Sequence, residues 1–129
     1  MIKKCDLILK SIVDGEETSF YAEGRVEEFG DKIRLCYRED PAVIHVTFHD
    51  GKAWVDRDGD YSLRLALVQG EVMKGELAIN GNVGELEIRT HAVACLYQGD
   101  QLSARLKYDI LLGDSAQEME LLIQACIKV

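Results

Sequence analysis

Apolar and polar residues alternate almost without interruption along the last third of the chain. From Leu102 to Leu112 every second side chain is apolar or aromatic, and the same period of two runs from Met119 to Val129. Successive side chains of a β-strand point to opposite faces, so this period is typical of strands with one buried and one solvated face. Antiparallel sheets commonly have this property. The pattern therefore predicts neighbouring antiparallel strands.

Short turns separate this block and the alternating runs that precede it. Dipeptides that join Gly to Asp or Asn supply the positive φ angles of tight hairpins, and here they recur about every ten residues, a spacing typical of sandwiches and barrels. The predicted turns are Asp14-Gly15, Gly30-Asp31, Asp50-Gly51, Asp58-Gly59, Asn80-Gly81, Gly99-Asp100 and Gly113-Asp114. We expect one all-β domain over residues 1–129.

The C-terminal segment also permits a different interpretation. Ser115 to Glu118 has the spacing of a helix capping box, and good helix formers follow it. The alternation from Met119 onward favours a strand that forms a hairpin with the preceding one. From the pattern alone, helix and strand are equally supported.

Charge and composition restrict the kinds of partner. The formal net charge is −8 and the sequence pI is about 4.8, so the protein repels phosphate backbones and anionic lipids, and we expect neither a nucleic acid nor a membrane partner. Asp6, Lys10 and Asp14 interrupt what would have to be the apolar core of a signal peptide. We therefore expect a cytoplasmic protein.

The four cysteines are far apart and form no Cys-x-x-Cys pair, which argues against a redox motif or a zinc finger. We interpret them as reduced, small apolar side chains. They are Cys5, Cys36, Cys95 and Cys126.

Several short segments together resemble a known family. Gly84-Glu-Leu-Glu-Ile-Arg-Thr90, the Tyr108-Asp-Ile-Leu-Leu-Gly-Asp114 hairpin, the alternating final segment and the upstream Arg57-x-Gly59 resemble the YwiB-like family of small bacterial calycin-type barrels. The resemblance implies a closed, antiparallel, lipocalin-like β-barrel of about eight to ten strands with short hairpin turns. It also implies that the C-terminal segment is a strand. It carries over no catalytic residue.

No motif predicts a catalytic site, a metal site or a cofactor. The Asp56 to Asp60 segment has its glycine at the fourth position, whereas an EF-hand loop needs it at the sixth. His45 and His49 would be about 13 Å apart on one strand, too far to bind the same ion, and His91 is on a different strand. There is no Gly-x-Ser-x-Gly elbow, and paired glutamates such as Glu27 and Glu28 are typical of a solvated strand face.

Five residues are candidates for ligand binding. Tyr37, Tyr61 and Tyr108 fall on the apolar parity of their strands and would bring hydroxyl groups into a largely dry interior. A backbone carbonyl or a trapped water is the alternative partner for each hydroxyl. Trp54 marks either a barrel mouth or a contact surface. Arg57 belongs to the family motif, and its alternative role is to stabilise a turn.

These observations predict a binding protein that holds a small, partly apolar molecule in or at the mouth of the barrel. The alternative is a protein-interaction module, such as a homodimer, that uses the outer face and binds no small ligand. Apolar residues at strand positions that should point outward favour that alternative. A hydrolase with an unrecognised site is the third and weakest hypothesis, so the residues favour a non-enzymatic role. The off-parity residues are Ile8, Ile12, Trp54, Val68 and Leu122.

Overall fold

The computed structural model describes residues 1–128 and consists of ten antiparallel strands. The strands are β1 (Ile2–Val13), β2 (Glu16–Phe29), β3 (Lys32–Glu39), β4 (Ala42–His49), β5 (Lys52–Asp58), β6 (Tyr61–Val68), β7 (Val72–Ile79), β8 (Asn82–Gln98), β9 (Gln101–Leu112) and β10 (Ser115–Ile127). Five of them, β1, β2 and β8 to β10, have 12 to 17 residues, while β3 to β7 have only 7 or 8.

The strands form a closed up-and-down barrel. Each pairs with the next along the chain, and β10 pairs with β1 to complete the circle. The predicted all-β, closed antiparallel barrel is therefore confirmed, with the number of strands at the upper end of the expected range. Among residues 1–128 there is no helix of the length and apolarity needed to cross a membrane.

Two-residue turns join the strands everywhere except between β6 and β7, where the turn has three residues. At Asp14-Gly15, Asp50-Gly51 and Asn80-Gly81 both turn residues have positive φ, as type I′ hairpins require. The predicted turn at Asp58-Gly59 begins one residue later, at Gly59. The turn at Asp40-Pro41 was not predicted, because it lacks the glycine signal.

The C-terminal segment is a strand, so the helical alternative is wrong and the strand expectation is confirmed. β10 pairs with β9 on one side and with β1 on the other, from Cys5↔Ile127 to Val13↔Met119. A helix would separate its alternating apolar residues, whereas the strand directs Ile123 and Ala125 into the core, where they are almost fully buried. Long-range pairing and burial outweigh helix propensity here.

Inward-facing apolar side chains fill the centre of the barrel as one continuous cluster. Cys5 belongs to this cluster and the half-buried Cys95 packs against it, whereas Cys36 is buried outside the cluster and Cys126 faces outward and is exposed. The largest of the fully buried side chains are Leu7, Leu9, Leu35, Leu67, Ile88, Leu102 and Leu106.

Candidate functional site

Three of the predicted ligand-binding residues point into the same end of the barrel. We call this end, where β3–β4, β5–β6 and β9–β10 turn, the tyrosine end. Tyr37 and Tyr108 are only 5% and 8% exposed, and Tyr61, the first residue of β6, lies at the rim with 36% exposure. Tyr61 contributes to the raised pKa of Tyr108, and Tyr108 contributes to the raised pKa of Tyr37. The barrel therefore gathers tyrosines that are far apart in sequence.

Burial keeps two of these hydroxyl groups protonated. It is the main cause that raises the pKa of Tyr108 to about 12, with a smaller contribution from Tyr61. Burial also raises the pKa of Tyr37, assisted by Glu39 and then by Tyr108. A tyrosine whose pKa is higher in the folded protein than the unfolded value of about 10 favours the folded state only while it is protonated. Its contribution to the free energy of unfolding is therefore complete below about pH 10 and declines as the pH rises further. At neutral pH both groups can donate hydrogen bonds in apolar surroundings.

Arg57 lies at the rim beside Tyr61. Its guanidinium carbon is 3.7 Å from the centroid of the Tyr61 ring, a cation–π geometry. Its Nη1 donates to the Tyr61 carbonyl oxygen at 2.9 Å, and its Nη2 donates to Asp60 Oδ1 at 3.0 Å. The side chain is only 14% exposed. The contacts stabilise the β5–β6 turn and hold a positive charge at the tyrosine end.

Apolar side chains surround these polar groups. The rings of Phe20 and Tyr37 are 6.3 Å apart between centroids and inclined at 49°. Several inward-facing residues near this end pack on the core but stay partly exposed, so solvent reaches the apolar lining. They include Phe20, Leu63, Leu86, Ile110, Met119 and Leu121.

Trp54 does not join this group. It lies on the opposite parity of β5, between Thr47 of β4 and Ala66 of β6. It lines a shallow outer cleft of about 370 Å³ together with Asp56, Arg64 and other residues. Trp54 therefore lies on the outer face and not in the barrel mouth, and its role in a contact surface stays a prediction.

The acidic segment at Asp56 forms ion pairs with arginines. Arg64 lies 2.8 Å from Asp58 and 3.4 Å from Asp56, and Arg57 binds Asp60. Among residues 1–128 no group of three or more His, Cys, Asp or Glu side chains is arranged to hold a metal ion.

The cysteines and histidines likewise form no evident reaction centre. Burial raises the pKa of Cys5, Cys36 and Cys95 to about 11, so these groups are thiols at neutral pH and poor nucleophiles. His91 sits at a bulge in β8, with its Nε2 2.7 Å from Asp109 Oδ2.

One glutamate differs from the prediction of solvated carboxylates. Glu27 is 8% exposed, accepts a hydrogen bond from Arg25 Nε at 2.8 Å and accepts another from Cys36 Sγ at 3.3 Å. Arg25 is the main cause that lowers the pKa of Glu27, so the stability this pair adds is lost as the pH falls through that pKa. The sequence places Arg25 and Glu27 on one strand face, but the approach of Cys36 depends on the β2–β3 register.

No protein-family model matches the sequence, and no curated protein matches it either. The chain does resemble a solved crystal structure, that of the YwiB protein from Bacillus subtilis. The TM-score is 0.87, the likeness covers 99% of this chain and 94% of that one, and 19% of the residues are identical. The resemblance inferred from the sequence is confirmed at the level of architecture: this chain has a YwiB-like fold.

Proposed function

We propose that this protein is a non-enzymatic binding module that holds a small, partly apolar molecule at the tyrosine end of the barrel. The observation that carries the proposal is that Tyr37, Tyr61 and Tyr108 face the same end of the barrel, where Arg57 stacks on the Tyr61 ring. Lipocalin-like barrels also bind their ligands at or within one end of the barrel.

The chemistry of this end defines the class of ligand. Partly exposed side chains such as Leu63 and Met119 favour an apolar body, because its burial removes both surfaces from water. Arg57 favours an anionic or strongly hydrogen-bonding head group, since charge-assisted hydrogen bonds are the strong ones. Tyr108 and Tyr37 add neutral donors. No cofactor is part of this proposal, and the four free cysteines support a cytoplasmic location.

A fluorescent probe tests this proposal. The dye 8-anilinonaphthalene-1-sulfonate combines an aromatic body with an anionic group, and we expect it to bind saturably with increased fluorescence. Arg57→Gln removes the cation, so dye affinity should fall at least about tenfold. Tyr108→Phe removes only a hydroxyl group and should weaken binding about two- to tenfold.

Arg34→Gln provides the matched control, because Arg34 lies on the outer face of β3, where its Nε donates to Thr47 Oγ1 at 3.3 Å, and the change should leave dye affinity unchanged. Thermal unfolding of each variant verifies that the barrel is intact. The absence of saturable binding to the wild-type protein, or equal affinities for all folded variants, would contradict the proposal.

A further inference from the structure

A row of exposed side chains that includes three large apolar residues crosses the outer surface of the barrel, where the strand parity would normally place polar residues. Tyr21 is 81% exposed, Ile8 47% and Leu96 59%. The register places Tyr21 beside Ile8, and continues from Ile8 through Gln124 and Ser103 to Leu96. We call these five residues the outer row. Large exposed apolar side chains grouped in this way mark contact surfaces.

Two shallow clefts flank the outer row and differ in charge. The first has a volume of about 550 Å³ and combines Leu122 and Ala94 with the cations Lys10 and Arg105. This cleft lies on the side of the outer row that is nearer to the tyrosine end. Ile8 belongs to its lining and also separates it from the second cleft.

The second cleft has a volume of about 480 Å³ and is lined by Ile8 and Tyr21 together with the anions Asp6 and Glu23. The face therefore has an apolar centre. The cations of the first cleft, which pair with Glu17 and Glu120, lie on one side, and the anions of the second, which pair with Lys128, lie on the other. A surface of this kind is complementary to itself when one copy is turned by 180°.

Asp6, Ile8 and Lys10 all project outward from β1, with Ile8 in the middle. A twofold axis that passes through Ile8, perpendicular to the strands and within the contact plane, places Lys10 of one copy opposite Asp6 of the other. The same axis places Asp6 of the first copy opposite Lys10 of the second, so the ion pair forms twice. We propose that the outer row and its two clefts form a homodimer interface and that a second copy of this chain is the partner.

The existing ion pairs of these residues leave them free to exchange partners. Lys10 lies 3.8 Å from Glu17, and Asp6 lies 3.1 Å from Lys128. The Lys10 and Asp6 side chains are 42% and 61% exposed, and exposed pairs of this kind are weak.

The closure of the barrel restricts how the two copies can associate. Every strand is paired on both sides, so neither copy offers a free edge for strand addition. The contact must therefore form through side chains of the outer face, and substitutions there should change it directly. This inference is independent of ligand binding at the tyrosine end.

Sedimentation equilibrium over a range of protein concentrations tests the interface. We expect the wild-type mass to rise to twice that of one chain, and Ile8→Asp to raise the dissociation constant at least about tenfold. Asp6→Lys and Lys10→Asp should each weaken the dimer, because they bring like charges together. The double variant with both changes should restore wild-type affinity, since it recreates the pair in the opposite sense.

Val83→Ser is the control, because Val83 is 68% exposed but lies at the opposite end of β8 from Leu96. It should dimerise like the wild type. Circular dichroism and thermal unfolding confirm that each variant is folded. A wild-type protein that stays monomeric at all concentrations would overturn the proposal. So would a dimer unaffected by Ile8→Asp, or a charge reversal without rescue in the double variant.

Discussion

Gly24 faces the barrel interior where β2 runs beside β3. A side-chain carbon built at this position would overlap the carbonyl oxygen of Cys36 and would lie 2.7 Å from Leu7 Cδ1 and 3.2 Å from Tyr37 Cβ. Only glycine allows the backbones and the Tyr37 side chain to approach this closely. The position of one of the site's tyrosines therefore depends on a residue that has no side chain.

We expect Gly24→Ala to lower the free energy of unfolding by about 1–3 kcal/mol, because overpacking forces the neighbouring atoms apart. Gly84→Ala is the matched control: the nearest atom to its added carbon, the Leu77 carbonyl oxygen, is 4.0 Å away. That variant should stay within about 0.5 kcal/mol of the wild type. Urea denaturation measures both values, and equal stability of the two variants would refute the packing role of Gly24.

The seams between strands differ in length around the barrel. β6 and β7 are in register for only four residues of β6, from Tyr61 to Arg64. β1 and β10 are in register over the nine residues from Cys5 to Val13. The seam that joins the two terminal strands is therefore much longer than the one between β6 and β7.

Native-state hydrogen exchange should detect this difference. The hydrogen-bonded amides between β6 and β7 should exchange at least about tenfold faster than those between β1 and β10, because a short ladder opens locally at lower cost. The amides of β10 should exchange only when the whole barrel unfolds. If β10 exchanged as fast as β7, the terminal strands would not seal the barrel.

The alternation of apolar residues was sufficient to predict the strands, but not all their contacts. Leu102 to Ile110 alternates without a break, and each of its apolar members up to Tyr108 is buried. Residues 119–127 also have an apolar residue at every second position, yet their helix-forming composition leaves two interpretations. The family resemblance favours the strand, and pairing with both neighbouring strands confirms it. The burial of Glu27 could not be predicted, because it depends on Cys36 in the adjacent strand.

Across the whole molecule, the sequence also predicted which candidate side chains point inward but not which of them meet. Tyr37, Tyr61 and Tyr108 belong to strands that are not neighbours, so their convergence depends on the closure of the barrel and the stagger of its strands. The parity of Trp54 was equally clear, but its position on the outer face near Arg64 depends on the order of the strands. The proposed site thus depends on the closure of the barrel.

Nuclear magnetic resonance mapping of the same sulfonate dye is the most direct test of binding at the tyrosine end. We expect titration into isotope-labelled protein to shift the amide signals around Tyr37, Tyr61 and Tyr108, with one common dissociation constant. Arg57→Gln should weaken all of these shifts together. Shifts confined to the outer row near Ile8 and Leu96, or no saturable shifts at all, would contradict a ligand site at this end of the barrel.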